Sequence, residues 1–461
     1  HALEHGFRKA GKSLALPAGR PGCRFCRRPM RGMRFDSTGR ACKFTAPTKG
    51  NTVTTTAPRP DKHHASIEFV VLMAVMSSLI AFSIDAMLPA LPRIAADLAI
   101  RRENDRQMIV TALFLGLALS QLVYGPVADT IGRKPTIYWG FAIFLLGTMM
   151  CILSPSFEIM LLGRFLQGIG AAGPRIVSIA LIRDLYSGRE MAKVLSLVTT
   201  VFIVVPVIAP SIGQGILFLA EWRWIFGVLL AQGIIGLVWF AWRQPETLPL
   251  ERRASFSLRR IVMAFHEACT NRFTLGYTIT AGLIFGAFIG YLTSTQQILQ
   301  EQYGLGEMFP LYFGANAFAF GAASLVNSRL VMRFGMRRLA ATGLVASSLL
   351  SIVFFVVAFM TGGQPPLWSL MAYLLAIFFS VGILFGNFNA LSMEPMGHIA
   401  GIAAAVVGSL TTLISTVLGN LLGQAYDGTV RPMIFGFAVL TITATAVMVY
   451  VERGRRSSTV R

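Results

Sequence analysis

The stretch GPVADTIGRKP, residues 125–135, is a short charged segment between two long apolar runs, residues 108–127 and 136–153. Because so few polar residues separate the two runs, the chain must turn back at once, and the runs are predicted to be antiparallel neighbours. Glycine permits a tight turn, and Pro135 can open the next helix. The charged side chains of this hairpin are too costly to leave in hydrocarbon, so the hairpin marks one face of a membrane.

The composition also indicates a membrane protein. The chain has 461 residues, of which 54% are hydrophobic and only 13% are charged. A water-soluble protein of this length could not bury so much apolar surface, whereas a bilayer requires repeated spans of about 20 apolar residues. The formal net charge of +20 does not indicate nucleic-acid binding, because the basic residues lie mostly in an N-terminal tail and in short loops on one side.

Twelve apolar runs are long enough to span a bilayer. Lipid permits only helices or closed barrels, and these runs lack the alternation that is typical of barrel strands. The predicted fold is therefore an all-α membrane protein with twelve transmembrane helices. The runs cover residues 67–92, 107–127, 136–154, 159–182, 194–218, 224–242, 273–297, 309–332, 338–361, 367–392, 398–424 and 432–451.

A polar stretch in the middle of the chain divides the twelve runs into two halves of six. The second half repeats the hairpin as SRLVMRFGMRR at residues 328–338, with Gly335 where the first half has Gly132. Repeated halves are typical of secondary transporters. The predicted organisation is a disordered basic tail (1–65), a first six-helix bundle (66–243), a cytoplasmic linker (244–271), a second six-helix bundle (272–453) and a cytoplasmic tail (454–461).

Arginine and lysine are concentrated in the loops that follow even-numbered runs, whereas the alternate loops are nearly free of them. The first alternate loop, with Arg101, Arg102 and Arg106, is the exception. By the positive-inside rule, both termini and the hairpin are predicted to be cytoplasmic.

Several motifs resemble those of a known family. G-x-x-x-D-x-x-G-R-K between the second and third runs resembles the signature hairpin of the major facilitator superfamily, and RFLQGIGA at residues 164–171 resembles its fourth-span drug-exporter motif. Three further stretches resemble the bicyclomycin-resistance (Bcr/CflA) branch of drug:proton antiporters. They are DAMLPALP at 85–92, IRDLY at 182–186 and N-x-N…EPMGHIAG at 387–401.

The resemblance implies roles for the matching residues. It implies a cytoplasmic gate formed by Gly125, Asp129, Gly132, Arg133, Lys134 and Asp184. The fifth-span antiporter motif, usually Gly-Pro-x-x-Gly-Gly, is APSIGQ at residues 209–214, so the proline is kept and two glycines are missing. The expected antiporter helix contains Pro206, Pro210 and Gly213.

Asp85 is the acidic residue that lies deepest in an apolar run, and the other acidic residues lie in loops, tails or at the ends of runs. Desolvation disfavours the charged form of a buried carboxyl group, so Asp85 can take up and release a proton. Arg164 is predicted to be its partner, because helix rise places both roughly 10–14 Å below the outer face. Gln167 and Arg175 complete the predicted proton and substrate site. The alternative is a structural aspartate that a neighbour satisfies.

The second half is expected to supply an apolar cavity wall. Its apolar runs contain no deep charge, and its polar candidates for the cavity are Gln296, Asn316, Asn387 and Asn389. Aromatic candidates are Phe285, Tyr291, Phe313 and Phe388. Such a wall suits poorly hydrated, drug-like compounds.

These observations predict a proton-coupled exporter of lipophilic drugs, working by alternating access in a bacterial inner membrane. Its expected partners are a small-molecule substrate, protons and the lipid bilayer, with no nucleic acid, and the protein is expected to be a monomer. No catalytic motif is present, so we expect no enzyme activity and no cofactor. Cys23, Cys26 and Cys42 are too few for a convincing zinc site, and no metal is expected. The alternatives are a proton symporter that imports a metabolite and a non-transporting sensor of the same fold.

Overall fold

The computed structural model describes residues 67–458. The predicted disordered tail, with the three cysteines considered for zinc, lies outside the described residues, as do residues 459–461. The described part contains fourteen α-helices. They are α1 (Ile67–Asp85), α2 (Leu91–Asp97), α3 (Met108–Ile131), α4 (Arg133–Ile152), α5 (Phe157–Leu185), α6 (Gly188–Leu219), α7 (Arg223–Arg243), α8 (Leu258–Thr270), α9 (Arg272–Thr295), α10 (Phe309–Phe334), α11 (Met336–Met360), α12 (Leu367–Met393), α13 (Ala400–Gln424) and α14 (Arg431–Ser458).

Eleven helical stretches of the described chain are long and apolar enough to cross a membrane. The longest, Leu367–Gln424, contains α12 and α13, which are joined by a 3₁₀ turn at Glu394–Ile399. The predicted all-helical membrane fold is therefore confirmed. We call the end of the bundle that bears residues 125–135 the hairpin end, and the opposite end the far end.

The first span is broken in the middle, although the sequence pattern predicts one continuous run. α1 ends at Asp85, and a 3₁₀ turn at Leu88–Ala90 precedes α2. The cause is Pro89, because proline has no N–H to donate to the carbonyl of Asp85 four residues earlier and disfavours helical backbone before it. The break leaves the Asp85 side chain at the C-terminal end of a helix, inside the bundle.

Glycines bring α5 into direct backbone contact with α3 and α4. A Cβ atom on Gly168 would lie 2.0 Å from the carbonyl oxygen of Leu113, and one on Gly170 would lie 2.2 Å from the backbone nitrogen of Phe144. Small residues permit this close approach in membrane helices, where van der Waals packing drives association. These glycines therefore serve the packing of α5 against α3 and α4.

The two halves meet along α3 and α13 and along α6 and α10. In the middle of the first pair, Ser409 donates to the carbonyl oxygen of Ala118 at 2.7 Å, and Gln121 donates to Thr412 at 3.2 Å. Further towards the far end, the two halves are joined by a dense set of amide and charged side chains, described below. A cavity lies between these contacts and the remaining helices.

Candidate functional site

A cavity of about 280 Å³ lies between the two halves. The two walls differ in chemistry. The wall from the first half carries the charged residues of the lining, Asp85 and Arg175, whereas the lining residues from the second half are uncharged. The aromatic residues of the second-half wall are Phe285, Phe288, Tyr291, Phe313, Phe320, Phe378 and Phe385.

Asp85 faces this cavity from the broken end of α1. It is 4% exposed, and no hydrogen bond or ion pair joins its carboxylate to another residue in the described part of the chain. Its position at a helix C-terminus adds the unfavourable end of the helix dipole. The carboxylate is close enough to Tyr291, on the opposite wall, for an electrostatic interaction with its hydroxyl group. Asp85 is therefore a carboxyl group whose charge the protein leaves uncompensated.

The predicted ion pair between Asp85 and Arg164 is not formed, and this expectation was wrong. The Arg164 side chain points away from the cavity lining: its Nε donates to the carbonyl oxygen of Ile109 at 3.1 Å, and its Nη1 donates to Gln167 at 2.5 Å. Gln167 in turn donates to Thr148 at 2.9 Å. Helix rise fixes the depth of a residue but not its distance from a neighbour at the same depth. Arg164 and Gln167 thus form a polar contact among α3, α4 and α5.

Two other predicted residues lie where the cavity forms. Arg175 lines it from α5, eleven residues along the helix from Arg164 and therefore about 16 Å nearer the hairpin end. Pro206 lines it from α6. Gly213 does not line the cavity but supports it from behind, because α6 touches the backbone next to Asp85 at this glycine.

The aromatic wall is a continuous set of ring contacts. Phe285 stacks on Phe288 and on Phe385, each with 5.0 Å between ring centroids. Phe378 contacts Phe288 at 5.7 Å and meets Tyr291 edge to face at 4.5 Å. Rings held by one another present a rigid apolar surface with few polar groups. Of the seven aromatic residues of the second-half wall, the sequence named three, Phe285, Tyr291 and Phe313. The others were missed because a phenylalanine that faces the cavity and one that faces lipid look alike in sequence.

The polar candidates of the second half fall in different places. Asn389 lines the cavity. Asn316 lies directly behind the lining and donates to the Tyr291 hydroxyl at 3.0 Å. Asn387 donates to Asn327 at 2.9 Å, and Gln296 lies beyond the cavity at the far end of α9. Phe388, an aromatic candidate, packs on Tyr277 instead.

At the hairpin end, the residues expected to form a gate lie together. Arg133 is buried and donates to Asp129 at 2.5 Å and to Asp184 at 2.9 Å. Lys134 donates to the carbonyl oxygen of Ala241 at 3.0 Å. A Cβ atom on Gly125 would meet no other atom within 4 Å. Gly132 has φ +107°, a backbone conformation that favours glycine. The cluster therefore links α3, α4, α5 and α7.

The linker is docked onto this hairpin. Glu246 accepts hydrogen bonds from the backbone N–H groups of Arg133 and Lys134, both at 3.0 Å, and so caps the start of α4. The N–H of Ala254 donates to the carbonyl oxygen of Asp129 at 3.0 Å. The hydrogen bonds that the structure describes around the hairpin therefore run to the linker as well as to α5 and α7.

The far end contains a cluster that the sequence interpretation missed. Arg106 of the first half is 5% exposed and forms a bidentate ion pair with Glu301 of the second half, at 2.7 and 2.6 Å. Asn104 donates to the carbonyl oxygens of Gln424 and Tyr426 at 3.0 and 2.8 Å. Arg106 was treated only as an exception to the charge rule. Arg106 directly precedes an apolar run, and this position could have indicated that its side chain is buried.

A glycine substitution tests the support behind Asp85. A Cβ on Gly213 would lie 1.8 Å from the carbonyl oxygen of Ala86, whereas Gly215, two residues along α6, has open space. We expect Gly213→Ala to destabilise the protein by about 1–3 kcal/mol through overpacking, and Gly215→Ala to be neutral or slightly stabilising. Thermal unfolding of the purified protein in detergent measures this difference. Equal unfolding temperatures for the two variants would contradict the close packing of α6 on the broken helix.

Comparison with known proteins gives consistent matches. The family model described as Major Facilitator Superfamily matches residues 73–420. The chain is 32% identical over 384 residues to an uncharacterized MFS-type transporter, YdgK, of Bacillus subtilis, covering 81% of this chain and 92% of the relative. It is 29% identical to the bicyclomycin resistance protein homolog of Haemophilus influenzae (84% and 97% covered) and 28% identical to the multidrug resistance protein MdtL of Escherichia fergusonii (84% and 96% covered).

A solved structure shows the same fold. The xylose transporter XylE from E. coli, in a partially occluded inward open conformation, matches with a TM-score of 0.63 and 12% identity. The match covers 83% of this chain and 96% of XylE.

Proposed function

Because this chain belongs to the major facilitator superfamily of membrane transporters, we propose that it exports lipophilic small molecules in exchange for protons. Two of its relatives are named for resistance to bicyclomycin or to multiple drugs, which supports a drug or drug-like compound as the substrate. The proposed location is a bacterial inner membrane, with both termini and the hairpin end in the cytoplasm, as the distribution of arginine and lysine favours. The proposed functional unit is a monomer.

The observation that carries the proposal is the uncompensated carboxyl group of Asp85 opposite an aromatic wall. A lone carboxylate in an apolar site is costly, and it becomes stable when it binds a proton or a cationic group. The rings of Phe285, Phe288 and Phe385 suit the apolar body of a compound, and a positive group over such rings gains a cation–π interaction. Proton and substrate therefore compete for one site, which is the simplest basis for exchange.

The two ends of the bundle suit alternating access. In this conformation the far-end cluster around Arg106 and Glu301 joins the halves, and we propose that the cavity is then reached from the hairpin end. Opening to the other side requires these contacts to separate while the hairpin end closes. We propose that Asp129, Arg133, Lys134 and Asp184, with Gly125 and Gly132 in the hairpin, control the closure, and that Pro206, Pro210 and Gly213 hold α6 in place beside Asp85.

Roles for the remaining predicted residues follow from where they lie. Arg175 lines the cavity nearer the hairpin end. We propose that its positive charge promotes release of the proton from Asp85 on that side. Arg164 and Gln167 are proposed to position α5 against α3 and α4, because their bonds run to those helices. Asn389 is proposed to contact the substrate, whereas Gln296, Asn316 and Asn387 do not line the cavity.

A susceptibility and accumulation assay tests the proposal. Cells that lack their own efflux pumps, with and without this protein, are exposed to a panel of lipophilic antibiotics and dyes, and retained compound is measured before and after a proton uncoupler. Lower accumulation that the uncoupler abolishes supports proton-driven export. Uptake that depends on the proton gradient would instead show a symporter, and absence of any flux would favour a sensor.

A further inference from the structure

The last turns of α9 and the segment after them are unusually polar for the interior of a membrane protein. Residues 293–297 read TSTQQ, and each of these five side chains is at most 2% exposed. The segment Gln296–Gln302 continues α9 as a π-helix. Short π segments in helices occur frequently at functional sites, because the wider turn redirects side chains and leaves backbone groups free. This polar run lies between the cavity and the far end.

Several polar atoms in this region have no hydrogen-bond partner. They are Oδ1 of Asn316, Oε1 of Gln296 and Oε1 of Gln107, on residues that are 0%, 0% and 1% exposed. Burial of an unpaired amide oxygen is costly, and in native proteins such groups are usually satisfied by ordered water. Their concentration in one part of the bundle points to bound water there.

Polar groups lead inward from this region to the cavity. Asn316 donates to the Tyr291 hydroxyl at 3.0 Å, and Tyr291 in turn faces Asp85 across the cavity. Thr295 follows Tyr291 by one turn of α9 and lies beside its hydroxyl. Tyr291 is 1% exposed and is held between Phe378 and Phe313, so its hydroxyl has a fixed position.

Polar groups also lead outward to the far end. Gln296 donates to Glu301 at 3.1 Å, and Glu301 forms the bidentate pair with Arg106. Gln107 donates directly to Gln297 beside this pair. The guanidinium of Arg106 places a positive charge at the outer mouth of the polar region, and a fixed arginine is an electrostatic barrier to protons.

We propose that this polar region, which includes Tyr291, Thr295, Gln296, Gln107 and Asn316, holds a chain of water molecules through which a proton reaches Asp85 from the far end. A proton accepted by the outermost water is matched by one that this water passes inward, and the Asp85 carboxylate accepts the last one to become a neutral carboxyl group. Arg106, paired with Glu301, closes the path in this conformation. The separation of that pair opens it. The path rests on the proposed function, in which Asp85 is the proton acceptor.

The test measures proton entry without any substrate. Purified full-length protein is reconstituted into liposomes that contain the pH dye pyranine, the membrane potential is clamped with potassium and valinomycin, and the outside is acidified. The wild type is expected to be nearly tight. Arg106→Gln removes the charge barrier and is expected to raise proton entry on the order of tenfold, as for a barrier lowered by one charge interaction in a low-dielectric site.

Second substitutions in the Arg106→Gln background locate the path. Asn316→Leu and Gln296→Met remove the amide groups and are expected to return proton entry to the wild-type level. Asp85→Asn is expected to do the same, because the chain then has no acceptor at its inner end. The matched control is Thr278→Val, on the same helix: Thr278 is 1% exposed, and its hydroxyl is already bonded to the carbonyl oxygen of Thr274 at 2.6 Å. This control is expected to leave the raised entry unchanged.

The results separate the path from the proposed function. A normal rate in Arg106→Gln, or a raised rate that Asn316→Leu and Gln296→Met leave unchanged, would overturn the path. A raised rate that persists with Asp85→Asn would show that the path bypasses Asp85 and would overturn it as well. Size-exclusion chromatography of each variant is the control for folding. Since no drug is needed, the outcome does not depend on whether the accumulation assay finds a substrate.

Discussion

Asp85→Asn is expected to abolish proton-driven efflux while leaving the protein inserted and folded. Asparagine has nearly the same shape as aspartic acid but cannot take up or release a proton. Accumulation of a transported compound should rise to the level of cells without the protein, a loss of at least about tenfold in export rate, because asparagine cannot exchange the proton that drives export. The uncoupler should then have no further effect.

Asp85→Asn also distinguishes a role of Asp85 in proton coupling from a role in substrate binding. A compound loaded on both sides of a vesicle exchanges without net proton movement, so exchange should persist in Asp85→Asn if the substrate is neutral. Glu307→Gln is the control, because Glu307 is an exposed carboxylate outside the cavity. Full uncoupler-sensitive efflux by Asp85→Asn would remove Asp85 from the proton cycle.

Glu246→Gln is expected to release the linker from the hairpin. The Glu246 carboxylate accepts hydrogen bonds from the backbone N–H groups of Arg133, Lys134 and Leu248, at 3.0, 3.0 and 2.9 Å. Hydrogen bonds to a charged acceptor stabilise by about 1.5–3 kcal/mol each. A glutamine has a single oxygen, so its NH₂ group would face one of these N–H donors. Release should become more frequent by at least about tenfold.

Limited trypsin digestion measures this release, because Arg252 and Arg253 lie in the docked segment. Cleavage there should accelerate in Glu246→Gln, and transport should fall if docking of the linker is part of the gate. Glu251→Gln, an exposed change in the same linker, should digest and transport like the wild type. Equal rates of tryptic cleavage in the two variants would contradict the docking role of Glu246.

The charge of Glu246 also makes docking of the linker depend on pH. Burial opposes that charge, but the N–H groups of Leu248, Lys134 and Arg133 and the guanidinium of Arg253 outweigh it and hold the pKa of Glu246 below its ordinary value of 4.5. The docked form therefore binds fewer protons than the released form. Docking is fully present above the ordinary pKa and is lost as the pH falls through the lowered one. Protection from an acid-tolerant protease should be constant from neutral pH down to about 5 and decline in more acidic solution.

The sequence was sufficient for the helices and for the residues whose chemistry is rare in a membrane. Long apolar runs predict crossing helices because lipid permits only helices or closed barrels, and these runs lack the alternation of barrel strands. Asp85 was identified because a carboxyl group deep in a membrane span is energetically unfavourable whichever way its side chain faces. The hairpin cluster was predicted from the family resemblance. Three of its members, Asp129, Arg133 and Lys134, lie within six consecutive residues, so local geometry also brings them together.

Contacts between distant helices could not be derived in the same way. Arg164 and Asp85 have matching depths, yet their separation depends on how α1 and α5 are rotated about their axes, and the glycine contacts of α5 with α3 set that rotation. Which phenylalanines face the cavity depends on the same rotations. The pair of Arg106 and Glu301 joins residues 195 positions apart, and no local pattern predicts it.

The unequal walls of the cavity have a consequence for how resistance changes. In the proposed function the proton is bound by a charged group of the first half, whereas most of the phenylalanines that line the cavity belong to the second half. A single exchange such as Phe285→Leu or Phe385→Ala reshapes the pocket without touching the group that binds the proton. Under selection by a new antibiotic, we expect adaptive substitutions to accumulate among these rings. Under the proposed function, the range of exported compounds would then broaden while proton coupling through Asp85 is retained.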